Sequence, residues 1–425
     1  MLRGGVLNGL SRASGQRHRR LMSVWKDVPK GPEDAILGVT IAYNKDENPK
    51  KINLGVGAYR DDNGKPFVLS SVRAAEARIQ SEKRPMEYLP VIGDKEFLSN
   101  SLKLAFTEDN EFLKNDLIAS IQALSGTGAC RLGAEFISRF HKSSTGMPLV
   151  LMPSPTWANH PGIFRDGGCE VGKYRYYDPD SCGFDLEGCV EDLKSAPVGS
   201  VVLLHACAHN PTGVDPTMDQ WEVLSETIKR AGLLPFFDMA YQGFTSGSLD
   251  IDAGAVRKFV EDGHRVMLAQ SFSKNFGLYG HRLGTLSMLT DSDKEKMAIE
   301  SQLKILARTI WSNPPIQGSR IVNEVFKDNS FYNSWTEEMS RMANRIIDMR
   351  KQLSDKLVEL KNPRDWSHIT RQKGMFCYSG LSPAQVEAMK EQFSVYLISS
   401  GRISMAGVTS ANVEHLATAM DAVTK

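Results

Sequence analysis

One lysine, Lys274, stands between a short apolar run and a glycine-rich turn in the segment AQSFSKNFGLYGHR, residues 269–282. Arg282 follows it eight positions later. Burial and a neighbouring positive charge both disfavour an ammonium group. Because an ordinary lysine, with a pKa of about 10.4, is protonated near neutral pH, such a setting favours a reactive amine. A surface lysine needs no such setting. The rest of the sequence must therefore show whether Lys274 is a surface residue or a reactive amine.

Polar and aromatic residues follow other apolar runs in the same way. Asp238 ends the run in GLLPFFDMAYQGF, and Tyr241 comes three residues later. Asn210 follows the run in HACAHNPTG, while Trp157 and His160 follow another in SPTWANH. A carboxylate at such a position is costly to desolvate unless a cation or hydrogen-bond donors meet it. Taken singly, Asp238 also fits a helix N-cap, Asn210 a turn residue and Trp157 a core residue.

The segment LSGTGACRLGAEF, residues 124–136, joins small hydroxyl and glycine residues to the start of an amphipathic helix. Unpaired N–H groups at a helix N-terminus attract phosphate and other anions. Ser125, Gly126 and Thr127 are therefore candidate phosphate ligands. On its own, however, this segment favours a plain helix N-cap.

The hydrophobic pattern between residues 120 and 290 predicts the scaffold that positions these side chains. Continuously apolar runs alternate there with amphipathic segments such as MDQWEVLSETIKRAG and AGAVRKFVEDG; the runs are PLVLMPS, SVVLLHACAHN, GLLPFFDMAY, HRVMLAQSF and RLGTLSML. Such runs are typical of strands that helices cover on both faces. The pattern predicts a parallel-rich α/β sheet with its functional groups at the carboxyl ends of the strands.

A smaller unit is predicted after this sheet. Residues 331–360 repeat apolar side chains at steps of three or four, which indicates one amphipathic helix. At about 45 Å, this helix is long enough to join two domains. The segments GMFCYSGL, VYLISSG and RISMAG then resemble strands of an α+β unit, which a helix from about Ala411 closes.

Composition and cysteine spacing exclude several classes of protein. The chain has 425 residues, of which 41% are hydrophobic and 24% charged, and its formal net charge is +1. This balance gives no reason to predict a nucleic-acid partner or a membrane surface, and no apolar run approaches the ~18 residues of a membrane span. The six cysteines form no CxxC pair and have no histidines at zinc spacing. We therefore expect neither a metal site nor disulfides.

The first residues of the chain differ in composition from the rest. Residues 1–22 contain five arginines and no acidic residue, and the first acid is Asp27. An Arg-rich, acid-poor amphipathic leader is typical of a transit peptide. We interpret residues 1–24 as a transit peptide to the mitochondrial matrix, ahead of a plastid because arginine outweighs serine. A disordered basic tail is the alternative.

The chemistry-bearing segments converge, in sequence order, on the strand ends of one sheet. They offer an anion cup, an aromatic cover, an amide, a buried carboxylate, a phenol, a lysine and an arginine. Pyridoxal 5′-phosphate has the matching groups: a phosphate, a ring nitrogen, a phenolate oxygen and an aldehyde with which a lysine condenses. The sequence therefore predicts an enzyme that uses this cofactor.

The ordered set SGTGA, PTWANH, AHNPTG, FFDMAYQGF, SFSKNFGLYGHR, WSNPP and GRISMAG resembles the aspartate aminotransferases, and among them the eukaryotic, mitochondrial-type enzymes. The resemblance runs from about residue 25 to the C-terminus. It implies a fold-type-I pyridoxal-phosphate transferase, which is an α/β fold with a mixed, mostly parallel sheet. The large cofactor-binding domain would span residues 65–341. A discontinuous, smaller α+β domain would span residues 25–64 and 342–425, joined to it by the long helix at about 331–360.

The resemblance also implies the reaction and the roles of residues around the cofactor. Amino transfer would run reversibly from L-aspartate and 2-oxoglutarate to oxaloacetate and L-glutamate by a ping-pong route. Lys274 would condense with the aldehyde and later move the proton at the substrate α-carbon, while Asp238, supported by His160, would pair with the ring nitrogen. Further cofactor contacts would come from Tyr241 and Asn210 at the phenolate oxygen, Trp157 against the ring, Ser125, Gly126, Thr127, Ser271 and Arg282 at the phosphate, and Tyr88 of the partner subunit.

Two arginines would set the substrate class. By the same resemblance, Arg402 in GRISMAG would bind the α-carboxylate through a planar two-point contact. Arg308 of the partner subunit would bind the distal carboxylate of a dicarboxylic substrate, and Asn313 and Gly57 would complete the substrate contacts. Such shared sites imply an obligate homodimer.

Three other functions are alternatives to an aspartate aminotransferase. An aromatic amino-acid or kynurenine transaminase of the same family is the first alternative. A nicotinamide-dependent α/β oxidoreductase needs a G-x-G-x-x-G turn after a strand, and LSGTGACRLG fits that pattern poorly. A non-catalytic interaction protein would leave the lysine, the carboxylate and the arginine pair without a use.

Overall fold

The computed structural model describes residues 23–31, 35–142 and 146–425. Almost all of the predicted transit peptide, residues 1–22, lies outside these described residues. The described strands are β1 (Ile52–Asn53), β2 (Ile118–Leu124), β3 (Leu149–Ser154), β4 (Glu170–Arg175), β5 (Tyr177–Asp178), β6 (Gly183–Phe184), β7 (Val201–His205), β8 (Leu234–Met239), β9 (Met267–Ser271), β10 (Leu283–Leu289), β11 (Phe376–Tyr378), β12 (Val395–Tyr396) and β13 (Arg402–Ser404).

Helices connect and cover these strands. They are α1 (Ala35–Lys45), α2 (Ser70–Ser81), α3 (Lys95–Phe106), α4 (Glu111–Lys114), α5 (Ser125–Phe140), α6 (His160–Asp166), α7 (Leu186–Ser195), α8 (Met218–Arg230), α9 (Leu249–Asp252), α10 (Gly254–Glu261), α11 (Asp293–Ile310), α12 (Gln317–Lys327), α13 (Asn329–Glu359), α14 (His368–Arg371), α15 (Pro383–Phe393) and α16 (Val413–Thr424). None of these helices combines the length and the apolar character needed to cross a bilayer.

Seven strands form the main sheet, in the order β2-β10-β9-β8-β7-β3-β4. Only β10 runs antiparallel to its neighbours in this sheet, so the prediction of a mixed, mostly parallel α/β sheet is confirmed. The parallel strands β7, β8 and β9 therefore end at one edge, and β2 runs in the same direction because it also pairs with β10. This edge gathers the loops that follow all four strands.

The sheet is covered on both faces, as its continuous apolar runs require. Successive side chains of a strand point to opposite faces. Accordingly, Phe236 and Leu203 belong to one apolar cluster, whereas the adjacent Phe237 and Leu204 belong to another. Burial on both sides fixes the strand register and thus holds the strand ends in place.

The long helix α13 spans 31 residues and begins two residues before the predicted range. Asp328 caps it: the side-chain Oδ1 accepts hydrogen bonds from the backbone N–H groups of Ser330 and Phe331 at 2.9 and 3.3 Å. The apolar periodicity starts only after this polar first turn, so the pattern placed the start late. α13 packs against α2, α12, α14 and α16, and the short pairs β1-β12 and β11-β13 lie beyond the main sheet.

Candidate active site

A cavity of about 230 Å³ opens at the strand-end edge of the main sheet. Twelve of the residues predicted from the sequence line it: Gly57, Ser125, Gly126, Thr127, Trp157, Asn210, Asp238, Tyr241, Ser271, Lys274, Arg282 and Arg402. His160 lies directly behind the cavity, against Asp238. The common direction of β2, β7, β8 and β9 is what brings together segments that are far apart in sequence.

A chain of hydrogen bonds supports Asp238 from behind. His160 Nε2 lies 3.1 Å from Asp238 Oδ2, and His160 Nδ1 lies 2.8 Å from Thr156 Oγ1. Thr156 Oγ1 is also 3.1 Å from His205 Nε2, while His205 Nδ1 accepts from the backbone N–H of Asn210 at 3.4 Å. Because His205 Nδ1 accepts, the proton of His205 lies on Nε2, which donates to Thr156 Oγ1. The Thr156 hydroxyl then donates to His160 Nδ1, and His160 Nε2 donates to Asp238 Oδ2. Both imidazoles are then neutral.

This ordering leaves Asp238 as an anion without a cationic partner in the chain behind it. Burial, followed by the positive charge that His160 would carry, lowers the pKa of His205 to about 3, which keeps its ring neutral. Burial raises the pKa of Asp238, but the hydrogen bond that His160 donates and the positive charge of Lys274 act against burial, and the net pKa is lowered. Asp238 Oδ1 is buried and has no hydrogen-bond partner among the residues that the structure describes. A protonated ring nitrogen is the kind of group that this free, ionised oxygen would accept from.

The amine of Lys274 lies partly buried at the wall of the same cavity. Burial and then the charge of Arg282 lower the pKa of Lys274 to about 8, although Asp238 acts in the opposite direction. Lys274 Nζ lies 5.7 Å from the ring centre of Tyr241 and 5.5 Å from that of Tyr279. The chain thus holds a lysine that is partly deprotonated near neutral pH, as a nucleophilic amine requires.

The start of α5 forms the anion cup that the sequence suggested. Leu124 stands at the N-cap without a side-chain cap, so the first N–H groups of α5 remain available, which the plain N-cap reading did not foresee. Ser125 Oγ lies 3.0 Å from Ser271 Oγ and 2.8 Å from Ser273 Oγ, and Arg282 Nη1 lies 3.4 Å from Ser273 Oγ. Three hydroxyls, free N–H groups and one guanidinium suit a phosphate.

Two residues of this cup have positive backbone φ angles. Ser125 has φ 62° and Arg282 has φ 52°, although neither is glycine. Residues held in this region cost about 1–3 kcal/mol and occur most often at functional sites. Gly284 allows the close approach, because a Cβ there would lie 2.6 Å from the carbonyl carbon of Ser125. The backbone therefore adopts an uncommon conformation where the serine hydroxyls meet.

Arg402 lies on the opposite side of the cavity and is only 5% exposed. Its Nη1 donates to Asn210 Oδ1 at 3.2 Å, and its Nη2 donates to the carbonyl of Gly55 at 2.7 Å. Its Nε is buried and finds no partner in the described part of the chain. The guanidinium carbon lies 4.1 Å from the ring centre of Phe376. Burial lowers the pKa of Arg402 to about 10, which still leaves it charged. A buried guanidinium aimed at a cavity suits a carboxylate ligand.

The other predicted residues, Tyr88, Arg308 and Asn313, do not line the cavity. They lie together outside it, with Tyr88 and Arg308 exposed and Asn313 half-buried. Arg308 Nη1 donates to Asn313 Oδ1 at 3.0 Å, and Asn313 Nδ2 donates at 2.6 Å to the carbonyl of Leu89, the residue after Tyr88. Tyr88 is 83% exposed. We call Tyr88, Arg308 and Asn313 the arginine patch.

Sequence reasoning did not select several residues of the cavity wall, among them His205, Ser273 and Phe376. His205 ends the apolar run SVVLLH, so its position carried the same signal that marked Asp238. Ser273 directly precedes Lys274, but a serine in a turn has many other uses. Phe376 resembles an ordinary core aromatic, and only the fold places it against Arg402.

A cysteine also lies beside Asp238. The Cys130 sulfur and the ligand atoms of His160 and Asp238 lie within 4.8 Å of one another, which cysteine spacing could not reveal. Burial and the charge of Asp238 raise the pKa of the Cys130 thiol well above its usual value, so this sulfur is a protonated, weak ligand. The prediction that the chain has no metal site stays a prediction.

Comparison with known proteins gives a consistent family assignment. Residues 49–420 match the family described as aminotransferase class I and II. The chain is 52% identical over 415 residues to a mitochondrial aspartate aminotransferase of Dictyostelium discoideum, which covers 97% of this chain and 96% of the relative. It is 51% identical to a cytoplasmic aspartate aminotransferase of Oryza sativa subsp. japonica, covering 95% and 98%. An aromatic-amino-acid aminotransferase of Burkholderia pseudomallei, covalently bound to pyridoxal phosphate, superposes with a TM-score of 0.92 at 40% identity, covering 95% and 100%.

Proposed function

Because this chain belongs to the class I and II aminotransferases, we propose that it transfers the amino group of L-aspartate to 2-oxoglutarate, with pyridoxal 5′-phosphate as its cofactor. The products are oxaloacetate and L-glutamate, and the reaction is reversible. One observation carries the proposal: Lys274, the ionised Asp238 and the buried Arg402 all face one cavity. These are a nucleophilic amine, an anion for a cationic ring and a cation for a carboxylate.

The cavity residues fit the cofactor group by group. Bound pyridoxal phosphate supplies an aldehyde that carries the amino group and a ring that accepts electron density from the substrate α-carbon. Asp238 Oδ1, which is buried and free to accept, would accept from the protonated ring nitrogen and keep that proton in place. The N–H groups of α5 would hold the phosphate together with Ser125, Gly126, Thr127, Ser271 and Arg282.

Other side chains orient the ring. Trp157 would cover one face of the ring, and its indole packs edge-on against His160 with 5.1 Å between ring centres. Tyr241 and Asn210 would hydrogen-bond the phenolate oxygen. Burial raises the pKa of Tyr241, so its hydroxyl keeps its proton and acts as a donor.

Lys274 carries out the proton transfer. Its amine would hold the cofactor through the aldehyde and, with the substrate in the cavity, would take the proton from the substrate α-carbon. A pKa of about 8 suits this exchange, because the neutral amine is present near neutral pH and still holds a proton firmly enough to deliver it. Arg402 meanwhile binds the α-carboxylate, which presents the α-carbon to Lys274.

Selection of a dicarboxylic substrate requires a second cation, and we assign it to Arg308 of the partner subunit. Within one chain Arg308 is exposed and outside the cavity, as a residue that serves another subunit must be. Asn313 supports it, and Tyr88 of the partner subunit would reach the phosphate from the same arginine patch. Gly57 leaves room for the substrate against Phe376, whose ring would lie 3.1 Å from an added Cβ. The enzyme is then a homodimer with shared active sites.

The shared site has a direct complementation test. Arg308→Asp abolishes aspartate turnover but preserves cofactor absorbance, and Lys274→Ala abolishes turnover in its own subunit. Refolding the two inactive variants together restores activity, because a hybrid dimer contains one intact site; about one quarter of the wild-type sites would be recovered. Arg230→Asp, at another exposed arginine, is the matched control and leaves activity unchanged. No recovery on mixing would contradict the shared site.

The substrate assignment is tested by kinetics on the purified protein. We expect kcat/KM for L-aspartate to exceed that for L-phenylalanine at least 10-fold, about 1.4 kcal/mol in transition-state binding. The aromatic-amino-acid aminotransferase named above supports a second candidate, an aromatic transaminase, since its fold is nearly the same. Equal or higher kcat/KM for phenylalanine would favour that second function. If the protein removes the amino group from neither aspartate nor phenylalanine, both proposed functions are refuted.

Two further assignments belong to this proposal. The large domain spans residues 65–341, and the smaller domain comprises residues 25–64 and 342–425. This division follows the main sheet and the short strand pairs that lie beyond it. Residues 1–24 direct the chain to the mitochondrial matrix, which the Arg-rich composition and the mitochondrial relative support. A fluorescent protein fused to residues 1–24 would accumulate in mitochondria, and uniform fluorescence in the cytosol would contradict this.

A further inference from the structure

Arg350 is a buried cation outside the cavity described above. It lies on α13, is only 2% exposed, and its hydrogen-bond partners are backbone carbonyls. A buried guanidinium is costly to desolvate unless its donors are satisfied in a defined geometry. The hydrogen bonds of Arg350 must therefore offset the free energy lost when its guanidinium is removed from water.

All of these carbonyls belong to one short segment. Arg350 Nη1 donates to the carbonyl of Ile369 at 2.9 Å, and Nη2 donates to those of Lys373 and Gly374 at 3.3 and 2.9 Å and to that of Phe376. The segment 369–376 includes the end of α14 and leads directly into β11. One planar group thus fixes the chain that carries the Phe376 ring.

The same segment is locked to the turn that bears Asn210. The Lys373 N–H donates to the carbonyl of Gly213 at 2.6 Å, and a Cβ on Gly213 would lie 2.4 Å from the Phe376 carbonyl oxygen. Asp215, in the same turn, accepts from the N–H groups of Ala208 and His209 at 2.7 and 2.8 Å. Two backbones therefore touch with no side chain between them.

Asp215 also faces Arg350 electrostatically. Burial lowers the pKa of Arg350, while Cys377 and Asp215 oppose that effect. Conversely, burial raises the pKa of Asp215, and its two backbone donors together with the charges of Lys373 and Arg350 act against burial. The guanidinium thus holds one segment by hydrogen bonds and interacts with the other through charge.

Both segments end on Arg402. Asn210 Oδ1 accepts from Arg402 Nη1 at 3.2 Å, and the Phe376 ring packs 4.1 Å from the Arg402 guanidinium carbon. We propose that Arg350 is a positioning residue: by clamping segment 369–376 against the Asn210 turn, it sets the orientation of Arg402 and hence the affinity for the substrate α-carboxylate. This inference rests on the role proposed above for Arg402.

The substitution Arg350→Met tests it, because methionine keeps much of the apolar stem and removes every donor. We expect KM for aspartate and the dissociation constant of maleate, a dicarboxylate without an amine, to rise together about 10- to 100-fold. In contrast, kcat changes less than about threefold and the cofactor absorbance is retained. A residue that served stability alone would not move KM and maleate binding selectively at a temperature where the protein is folded.

Two further variants keep the inference falsifiable. Arg350→Lys retains the charge and part of the donor set, so we expect its KM to lie between those of the wild type and of Arg350→Met; where the methionine variant does not fold, the lysine variant carries the test. Arg341→Met removes an exposed arginine of the same helix, outside segment 369–376, and it leaves KM unchanged. Wild-type KM in a folded Arg350→Met or Arg350→Lys protein overturns the inference. Absence of aspartate turnover in the wild type, measured in the same assay, would instead refute the proposed function.

Discussion

The lowered pKa of Lys274 makes a quantitative prediction for the cofactor-free protein. A lysine at its ordinary pKa of 10.5 is almost wholly protonated at pH 7, whereas a pKa of about 8 leaves roughly one amine in ten neutral. Only the neutral amine attacks an aldehyde. We therefore expect Lys274 to condense with pyridoxal about 300-fold more often than an ordinary lysine of equal accessibility at pH 7.

The assay follows adduct formation at Lys274 as a function of pH. Cofactor-free protein is exposed to pyridoxal for short times between pH 6 and pH 10.5. Pyridoxal lacks the phosphate, so binding at the anion cup does not contribute to the rate. Borohydride traps the adduct, and mass spectrometry of peptides gives the rate at each lysine. The rate at Lys274 should rise with pH and level off above pH 8, while the exposed lysines continue to rise. These other lysines in the same sample are the internal control.

The causes of the lowered pKa can be separated as well. Burial contributes most and the charge of Arg282 comes next. Arg282→Leu therefore moves the midpoint for Lys274 upward, towards the ordinary value, even though the probe carries no phosphate. A midpoint above about pH 9.5 in the wild type, or labelling spread evenly over exposed lysines, would refute the reasoning from burial and charge.

The same pKa has a consequence for stability. Because the folded pKa lies below the unfolded one, folding disfavours the ammonium form by up to about 3 kcal/mol. This cost is fully present below pH 8 and disappears as the pH rises towards 10.5. Lys274→Met should therefore stabilise the cofactor-free protein near pH 7, with a difference in unfolding free energy that narrows by pH 10.

Three substitutions test other contacts. Asp238→Asn removes the anion at the ring nitrogen and should lower kcat/KM for aspartate by about 10²–10³-fold with cofactor content, measured by absorbance, retained. His160→Leu removes the hydrogen bond that lowers the pKa of Asp238 against the effect of burial, so the acid limb of the pH profile of kcat/KM moves to higher pH; an unmoved limb would contradict this. Gly284→Ala adds a Cβ 2.6 Å from the carbonyl carbon of Ser125 and should cost about 1–3 kcal/mol in urea unfolding, whereas Gly280→Ala, with open space around the added atom, should cost little.

The central sheet was predictable because its strands are covered on both faces. The runs PLVLMPS, SVVLLHACAHN, GLLPFFDMAY, HRVMLAQSF and RLGTLSML correspond to β3, β7, β8, β9 and β10. The edge strand β4 was not identified, since Glu170, Lys173 and Arg175 interrupt its apolar pattern and much of it is accessible. Which strand runs antiparallel also had no signal, because β10 is as apolar as its parallel neighbours.

The site was predictable where a strand end marks it and not elsewhere. Asp238 and Lys274 follow buried strands of one direction, so the topology alone brings them to one edge. Arg402 and Gly57 came only from the family resemblance, because no spacing rule connects residues so distant in sequence with that edge. Thr156 was missed for a different reason: a threonine in a turn reveals its role only when both histidines are in place.

The geometry also separates two functions that a transaminase of this family must combine. Among the described residues of one chain, two guanidinium groups line the cavity, that of Arg402 and that of Arg282 beside the proposed phosphate site. If Arg402 binds the α-carboxylate as proposed, it does not by itself select aspartate, because every amino acid has an α-carboxylate. Selection would then come from the arginine patch of the partner subunit in the proposed dimer. Under this proposal, differences in side-chain preference within the family are expected at that patch and at the surface that receives it.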